Sequence, residues 1–148
     1  MNPPEDIVRT ASVQWEGDVA KGHGGITVGS GKIAAAYSFG TRFSGDPGTN
    51  PEELLGAAHA ACFTMALSGA LTRAGHPPVS IATTASVHLR KGDAGFGIPQ
   101  IELVTKVVAA GITDADFQKL ATGAKEGCPI SKALAAVPMT LTATLSAP

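Results

Sequence analysis

Residues 50 to 75 read NPEELLGAAHAACFTMALSGALTRAG, and from Leu54 to Thr72 no residue is charged. The stretch nonetheless starts and stops as a soluble helix does. Asn50 is a good N-cap, Pro51 takes the first helical position, and Glu53 falls three residues after the cap, where a carboxylate can bond back to the cap N–H. Gly75 suits the left-handed position past the end, and Arg73 sets a cation at the negative pole. This predicts one helix of about two dozen residues, on the order of 35 Å long at 1.5 Å per residue. A helix apolar nearly all round must be buried in a core or in a bilayer. His59, Thr64, Ser68 and the polar ends interrupt a span just at the bilayer threshold, so we read it as the central helix of a core and expect no membrane role. Small residues such as Gly56, Ala57, Ala61 and Gly69 let other backbones approach, which predicts packing on several sides.

Upstream of this helix, Ala11, Val13 and Trp15 alternate with polar neighbours, the period of a half-buried strand. Gly17-Asp18 is a turn, Val19 to Val28 a second, glycine-rich strand, and the region from Ile33 to Phe39 a third. Gly40 to Thr49 reads as loop. Downstream, His76-Pro77-Pro78 blocks helix continuation, and Ile81 to Arg90 and Ile101 to Ala109 alternate as two long strands joined in a hairpin. Thr113 caps a further helix ended by Gly127, Cys128-Pro129 starts a short one through Leu134, and Met139 to Leu145 is a closing strand. The order β-β-β-α-β-β-α-α-β groups strands in hairpins and predicts an α+β fold with antiparallel sheets packed over the long helix.

At 148 residues the chain suits a single domain spanning residues 1 to 148. A net charge of −1 with no Lys/Arg run argues against nucleic-acid or anionic-membrane partners. Charged residues make up only 16% of the chain, against about 25% in ordinary domains, which suggests surface hidden in an oligomer. The start, MNPPEDIVRT, has neither the basic segment nor the apolar run of a signal peptide, so a cytoplasmic location is expected. In that compartment two cysteines are inert core residues or a redox pair rather than a structural disulfide.

Cys62 lies on the helix stripe of Leu55, Ala58, Met65 and Ala66, where a thiol is ordinarily a small buried hydrophobe. Cys128, at a helix start, reads as the more acidic of the two. Arg42 can hold a thiolate beside it, and Glu52 can orient that guanidinium, although each also has a plain reading as a loop arginine and a first-turn acid. His59 and Cys62 share a helix face, but no CxxC or HxxxH pattern completes a metal set, so no metal is assigned. His23, His76 and His88 fall in turns or on outward strand positions and are expected in solvent. Phe39, Phe43, Phe63 and Phe96 are candidates to line an apolar substrate pocket, or ordinary core.

NPEELLGAAHAACF, together with WEGD (Trp15 to Asp18), TRF (Thr41 to Phe43), DAGF (Asp93 to Phe96) and GCPIS (Gly127 to Ser131), closely resembles the osmotically inducible protein C (OsmC) family of thiol peroxidases. These are related to the organic hydroperoxide resistance (Ohr) proteins, and His59 points to the OsmC branch. The resemblance implies a two-cysteine peroxidase of the stress response that reduces organic hydroperoxides, and hydrogen peroxide less well, with neither metal nor flavin as cofactor. It implies Cys62 as the peroxidatic thiol, Cys128 as the resolving thiol, and Arg42 with Glu52 as the activating pair, overriding the ranking by helix position. It also implies an intertwined homodimer and a dithiol reductant such as a lipoyl protein. Ten residues of helix separate Glu52 from Cys62, about 15 Å along the axis, so a Glu52 that orients an arginine at Cys62 is expected from the other subunit. The alternative is a redox-sensing or ligand-binding dimer in which the cysteine pair switches without turnover.

Overall fold

The computed structural model describes residues 6 to 148, and the proline-rich start of the chain falls largely outside them. The chain forms two compact units, Met1–Pro51 and Glu52–Pro148. In the first, β1 (Ala11–Glu16), β2 (His23–Val28) and β3 (Ala34–Tyr37) make an antiparallel sheet in the order β1-β2-β3. Trp15, Gly24 and Tyr37 lie side by side across it. A Cβ on Gly24 would come within 2.6 Å of the Tyr37 ring and 2.8 Å of the Trp15 ring, so only glycine lets the two aromatics close to 5.2 Å between centroids. The second strand is shorter than its sequence suggests, because the Gly22 N–H donates to the Asp18 carbonyl and folds residues 18 to 22 into turn.

Residues 39 to 43, whose greater part reads as loop in the sequence, instead form a short helix, α1 (Phe39–Phe43). Ser38 and Thr41 cap it reciprocally: the Thr41 N–H donates to the Ser38 hydroxyl, and the Ser38 N–H to the Thr41 hydroxyl. Threonine here does what the acidic residue of a capping box ordinarily does.

The second unit is built on α2 (Pro51–Arg73), which has the bounds its caps predict. The strands β4 (Ser80–Gly92) and β5 (Gly95–Val108) form the expected antiparallel hairpin. Then α3 (Asp114–Gly127) and α4 (Pro129–Ala133) lead to β6 (Met139–Ser146). The α+β class holds with one departure from purely antiparallel pairing: β6 runs parallel to β5. Two helices lie between these strands, which is the kind of crossover a parallel pair needs.

One face of α2, formed by Gly56, His59, Phe63, Leu67 and Leu71, is buried at 3–4 spacing. Phe63, Leu67 and Leu71 join Ile101, Leu103 and Val107 of β5 and Phe117 and Ala121 of α3 in one core. Full burial of each large side chain contributes about 1.5–3 kcal/mol. A chain of hydroxyls crosses this packing, from Thr64 to Thr83 at 2.8 Å and from Thr83 to Thr105 at 2.9 Å, tying α2 to both strands.

The sequence predicts an α2 packed on several sides, whereas within one chain it is covered on one. Ala57, Ala58 and Ala61 are exposed, and Met65 is 78% exposed. By length and composition α2 is apolar enough to cross a membrane, and 28% of its most apolar window is buried.

Phe63→Ala should lower the unfolding free energy by about 3–5 kcal/mol, read from the urea midpoint by circular dichroism. An unchanged midpoint would mean that this face of α2 does not carry the core.

Candidate active site

Cys62 leaves α2 one residue before the fully buried Phe63 and is itself half-buried, at the edge of the core. Cys128 closes α3 and opens α4. It accepts the Ser131 N–H at 3.3 Å through its sulfur, as the N-cap of α4, and is 1% exposed. Pro129 follows in the first turn, where a missing N–H is harmless. The cap therefore fixes which way the Cys128 sulfur points.

It points at Cys62. The two thiols are free and lie within hydrogen-bonding reach of one another. Burial pushes the Cys62 thiol above its usual range; the Ile130 N–H, donating to its sulfur, partly opposes this, and the neighbouring Cys128 adds to it.

Behind the sulfurs is a polar chain that was not foreseen. The Cys128 thiol donates to the Ser131 hydroxyl at 3.1 Å, and that oxygen lies 2.8 Å from Nε2 of His59. His59 is fully buried, and its Nδ1 has no hydrogen-bond partner among the described residues. Desolvation lowers its pKa, which favours the neutral ring. The sequence places His59 and Cys62 on one helix face, but a serine 72 positions away takes up Nε2. The only signal in the chain was the spacing Cys128-x-x-Ser131, cap to third residue of a helix.

The remaining residues singled out from the sequence divide between the two units. In the first, Arg42 sits in α1 with its guanidinium 5.5 Å from the centre of the Phe43 ring. Phe39 and Phe43 pack with ring centres 4.7 Å apart and planes tilted by 42°, and with Trp15, Val19, Tyr37 and Arg42 they line a cavity of about 190 Å³. In the second, Glu52 lies in the first turn of α2, ten positions before Cys62 on the same helix. Phe63 is a core residue with no exposed surface, and Phe96 lies 58% exposed near the β4–β5 turn. Among the other histidines, His23 is in solvent beside Glu16, while His76 bonds the Ala110 carbonyl at 3.1 Å. His88 is half-buried against the Glu102 carboxylate at 3.5 Å, less solvated than its strand position suggests.

Residues 43–142 match the family model described as OsmC-like protein. The chain belongs to this OsmC-like family. It is 50% identical over 131 residues to the Peroxiredoxin OsmC of Escherichia coli (strain K12), covering 88% of this chain and 92% of that one. It is 32% identical over 137 residues to the Organic hydroperoxide resistance protein of Xanthomonas axonopodis pv. citri (strain 306), covering 90% and 92%. Among solved structures, the organic hydroperoxide resistance protein OhrB of Bacillus subtilis aligns at 28% identity with a TM-score of 0.67, over 93% of this chain and 98% of that one. The resemblance first carried by the helix motif thus extends over the fold of an OsmC-like protein.

The buried neutral ring makes stability depend on pH. A His59 pKa below that of the unfolded chain means the unfolded state binds the extra proton first, so the stability is complete above about pH 6.5 and falls as the pH drops from there toward the lower folded value. Urea midpoints at pH 7 and pH 5 should differ, and by less in His59→Gln than in the wild type. An equal fall in both would remove His59 as the cause.

Proposed function

We propose that the protein is a thiol-dependent peroxidase that reduces organic hydroperoxides, and hydrogen peroxide less well, to alcohols and water. The single observation that carries this is the contact between two reduced sulfurs on separate helices, one at the edge of the core and one held by a helix cap. The names of the relatives, a peroxiredoxin and an organic hydroperoxide resistance protein, support the same chemistry. Both units act together as one OsmC-like domain.

In the reaction, the Cys62 thiolate attacks one peroxide oxygen, the O–O bond breaks, and the alkoxide leaves and takes a proton to become the alcohol. Cys62 is left as a sulfenic acid. The sulfur of Cys128 then attacks that of Cys62, the S–O bond breaks, and water departs as the disulfide forms. A dithiol, for which a lipoyl protein is the reductant class we favour, reopens it by exchange and is itself oxidised.

The first step needs a thiolate, yet burial holds the Cys62 thiol up. A fixed cation is therefore required, and Arg42 is the residue assigned to it, oriented by Glu52. Since Glu52 and Cys62 stand about 15 Å apart along α2, the carboxylate that serves each site comes from Glu52 of the partner subunit. A second copy of the chain also accounts for the bare apolar face at Ala57, Ala58, Ala61 and Met65. Phe39 and Phe43 beside Arg42 offer an apolar wall for the alkyl part of the substrate, and Phe96 is a further contact. Phe63 is assigned to packing rather than to substrate.

Turnover distinguishes an enzyme from a switch. With dihydrolipoamide present, cumene hydroperoxide consumption should pass many equivalents of protein thiol. Cys62→Ser should abolish it, and Cys128→Ser should stop it near one equivalent. Arg42→Ala should lower kcat/KM by on the order of 10² or more, as loss of a fixed electrostatic group at a transition state does. Wild-type consumption that halts at one equivalent would favour the switch.

A further inference from the structure

The proposed peroxidase cycle leaves one proton without an exit. Cys128 must lose its hydrogen to attack the sulfenic acid, but it is 1% exposed, and Ser131, to which it donates, is 6% exposed. Solvent is a poor acceptor for a proton in such a place.

We propose that Ser131 and His59 form a buried proton relay that takes the hydrogen from the Cys128 thiol as it closes the disulfide on Cys62. This rests on the peroxidase reading above. The geometry sets the direction of transfer. Because the Ser131 oxygen accepts the thiol hydrogen, its own hydrogen is directed to Nε2 of His59, 2.8 Å away, which makes Nε2 the acceptor and puts the ring hydrogen on Nδ1. As Cys128 attacks, its proton passes to the Ser131 oxygen while the serine proton passes to Nε2. The S–S bond forms, the S–O bond of the sulfenic acid breaks, and the oxygen departs as hydroxide. The proton on Nε2 returns through the same hydroxyl to that hydroxide, giving water and restoring the neutral ring. No oxidant beyond the peroxide already consumed is needed.

Two features favour a relay over a histidine kept for packing. Nδ1 is a buried nitrogen with no partner among the described residues, and leaving such a group unpaired costs about 1–3 kcal/mol, which an apolar side chain at this position would avoid. The surroundings also keep the ring free to accept a proton. The residues of β4 and β5 turned toward α2 are Ile81, Thr83, Ala85, Val87, Ile101, Leu103, Thr105 and Val107, all uncharged, while His88, Arg90, Glu102 and Lys106 lie on the opposite side of the sheet. The residues that α3 buries are Phe117, Ala121 and Ala124, and α4 buries Ser131. The titratable groups that contacts join to the His59–Ser131 chain are thus the two cysteines, while Glu52, on the same face of α2, lies two turns earlier, about 10 Å along the axis.

Full-length Ser131→Ala and His59→Gln decide the matter. Ser131→Ala keeps the backbone N–H that holds the Cys128 sulfur and removes only the hydroxyl. Each protein is mixed with one equivalent of cumene hydroperoxide; sulfenic acid is trapped with a dimedone reagent, and disulfide is counted by mass spectrometry. At pH 7 the ratio of disulfide closure to sulfenic acid formation should fall on the order of 10²-fold in both variants, the usual size of a general-base contribution. The wild-type closure rate should be nearly flat from pH 6 to 8, whereas in Ser131→Ala it should climb in proportion to hydroxide, a change that looser packing would not produce. If His59→Gln fails to fold, the Ser131→Ala profile alone decides. Closure at the wild-type rate and with the wild-type pH profile in Ser131→Ala overturns the relay and leaves the peroxidase standing. A wild-type protein that forms no sulfenic acid overturns both.

Discussion

The buried row of α2 governs what the second unit can do. Gly56, His59, Phe63, Leu67 and Leu71 fix the rotation of the helix against β4, β5 and α3, and Cys62, one residue short of Phe63, is thereby set at the margin of the core. There it is dry enough for burial to push its thiol up, yet open enough for a reagent to reach. The packing that stabilises the unit therefore works against ionisation of its own sulfur. On the peroxidase reading proposed above, reactivity at Cys62 draws on a charge from another element, the role assigned there to Arg42 of α1.

Much of the fold was legible because local rules agree with one another in this chain. Asn50, Pro51 and Arg73 mark the ends of α2, strict alternation marks β4 and β5, and Thr113 caps α3. The misses share a cause, which is that the deciding partner is distant or unusual. The short α1 was hidden because Thr41 replaces the acidic partner expected of a capping box. The parallel pairing of β6 depends on a crossover of two helices, which periodicity within a strand does not report. What covers the remaining sides of α2 was not legible, because all-round apolarity shows that a surface is covered and not by what.

The site was legible in the same partial way. The sequence offered both sulfurs, ranked them one way by helix position and the other way by resemblance, and set His59 on one helix face with Cys62 without assigning a metal. Position in a helix says little about a thiol when desolvation dominates, as it does at Cys62. His59 and Ser131 stand 72 residues apart, and nothing along the chain couples them. Only the fold, by placing the α3 to α4 junction against the middle of α2, brings imidazole, hydroxyl and thiol into line.

Two polar inclusions in the same unit show what separates structure from chemistry. The threonine chain from Thr64 through Thr83 to Thr105 ends at the Ala82 carbonyl at 3.4 Å, so each hydroxyl has a neighbour and nothing in the chain titrates near neutrality. Such a closed chain ties a helix to a sheet and has no proton to give up. The second chain, from Cys128 through Ser131 to His59, begins at the thiol assigned above to disulfide closure and ends at an imidazole, with one nitrogen unmatched among the described residues. A fully paired network is at its lowest energy before any reaction occurs. One that ends on a neutral imidazole whose Nε2 accepts from the serine hydroxyl keeps, in the relay proposed above, a place for the thiol proton. The difference lies in how each chain terminates rather than in its depth, and the termination at His59 is what the relay proposed above builds on.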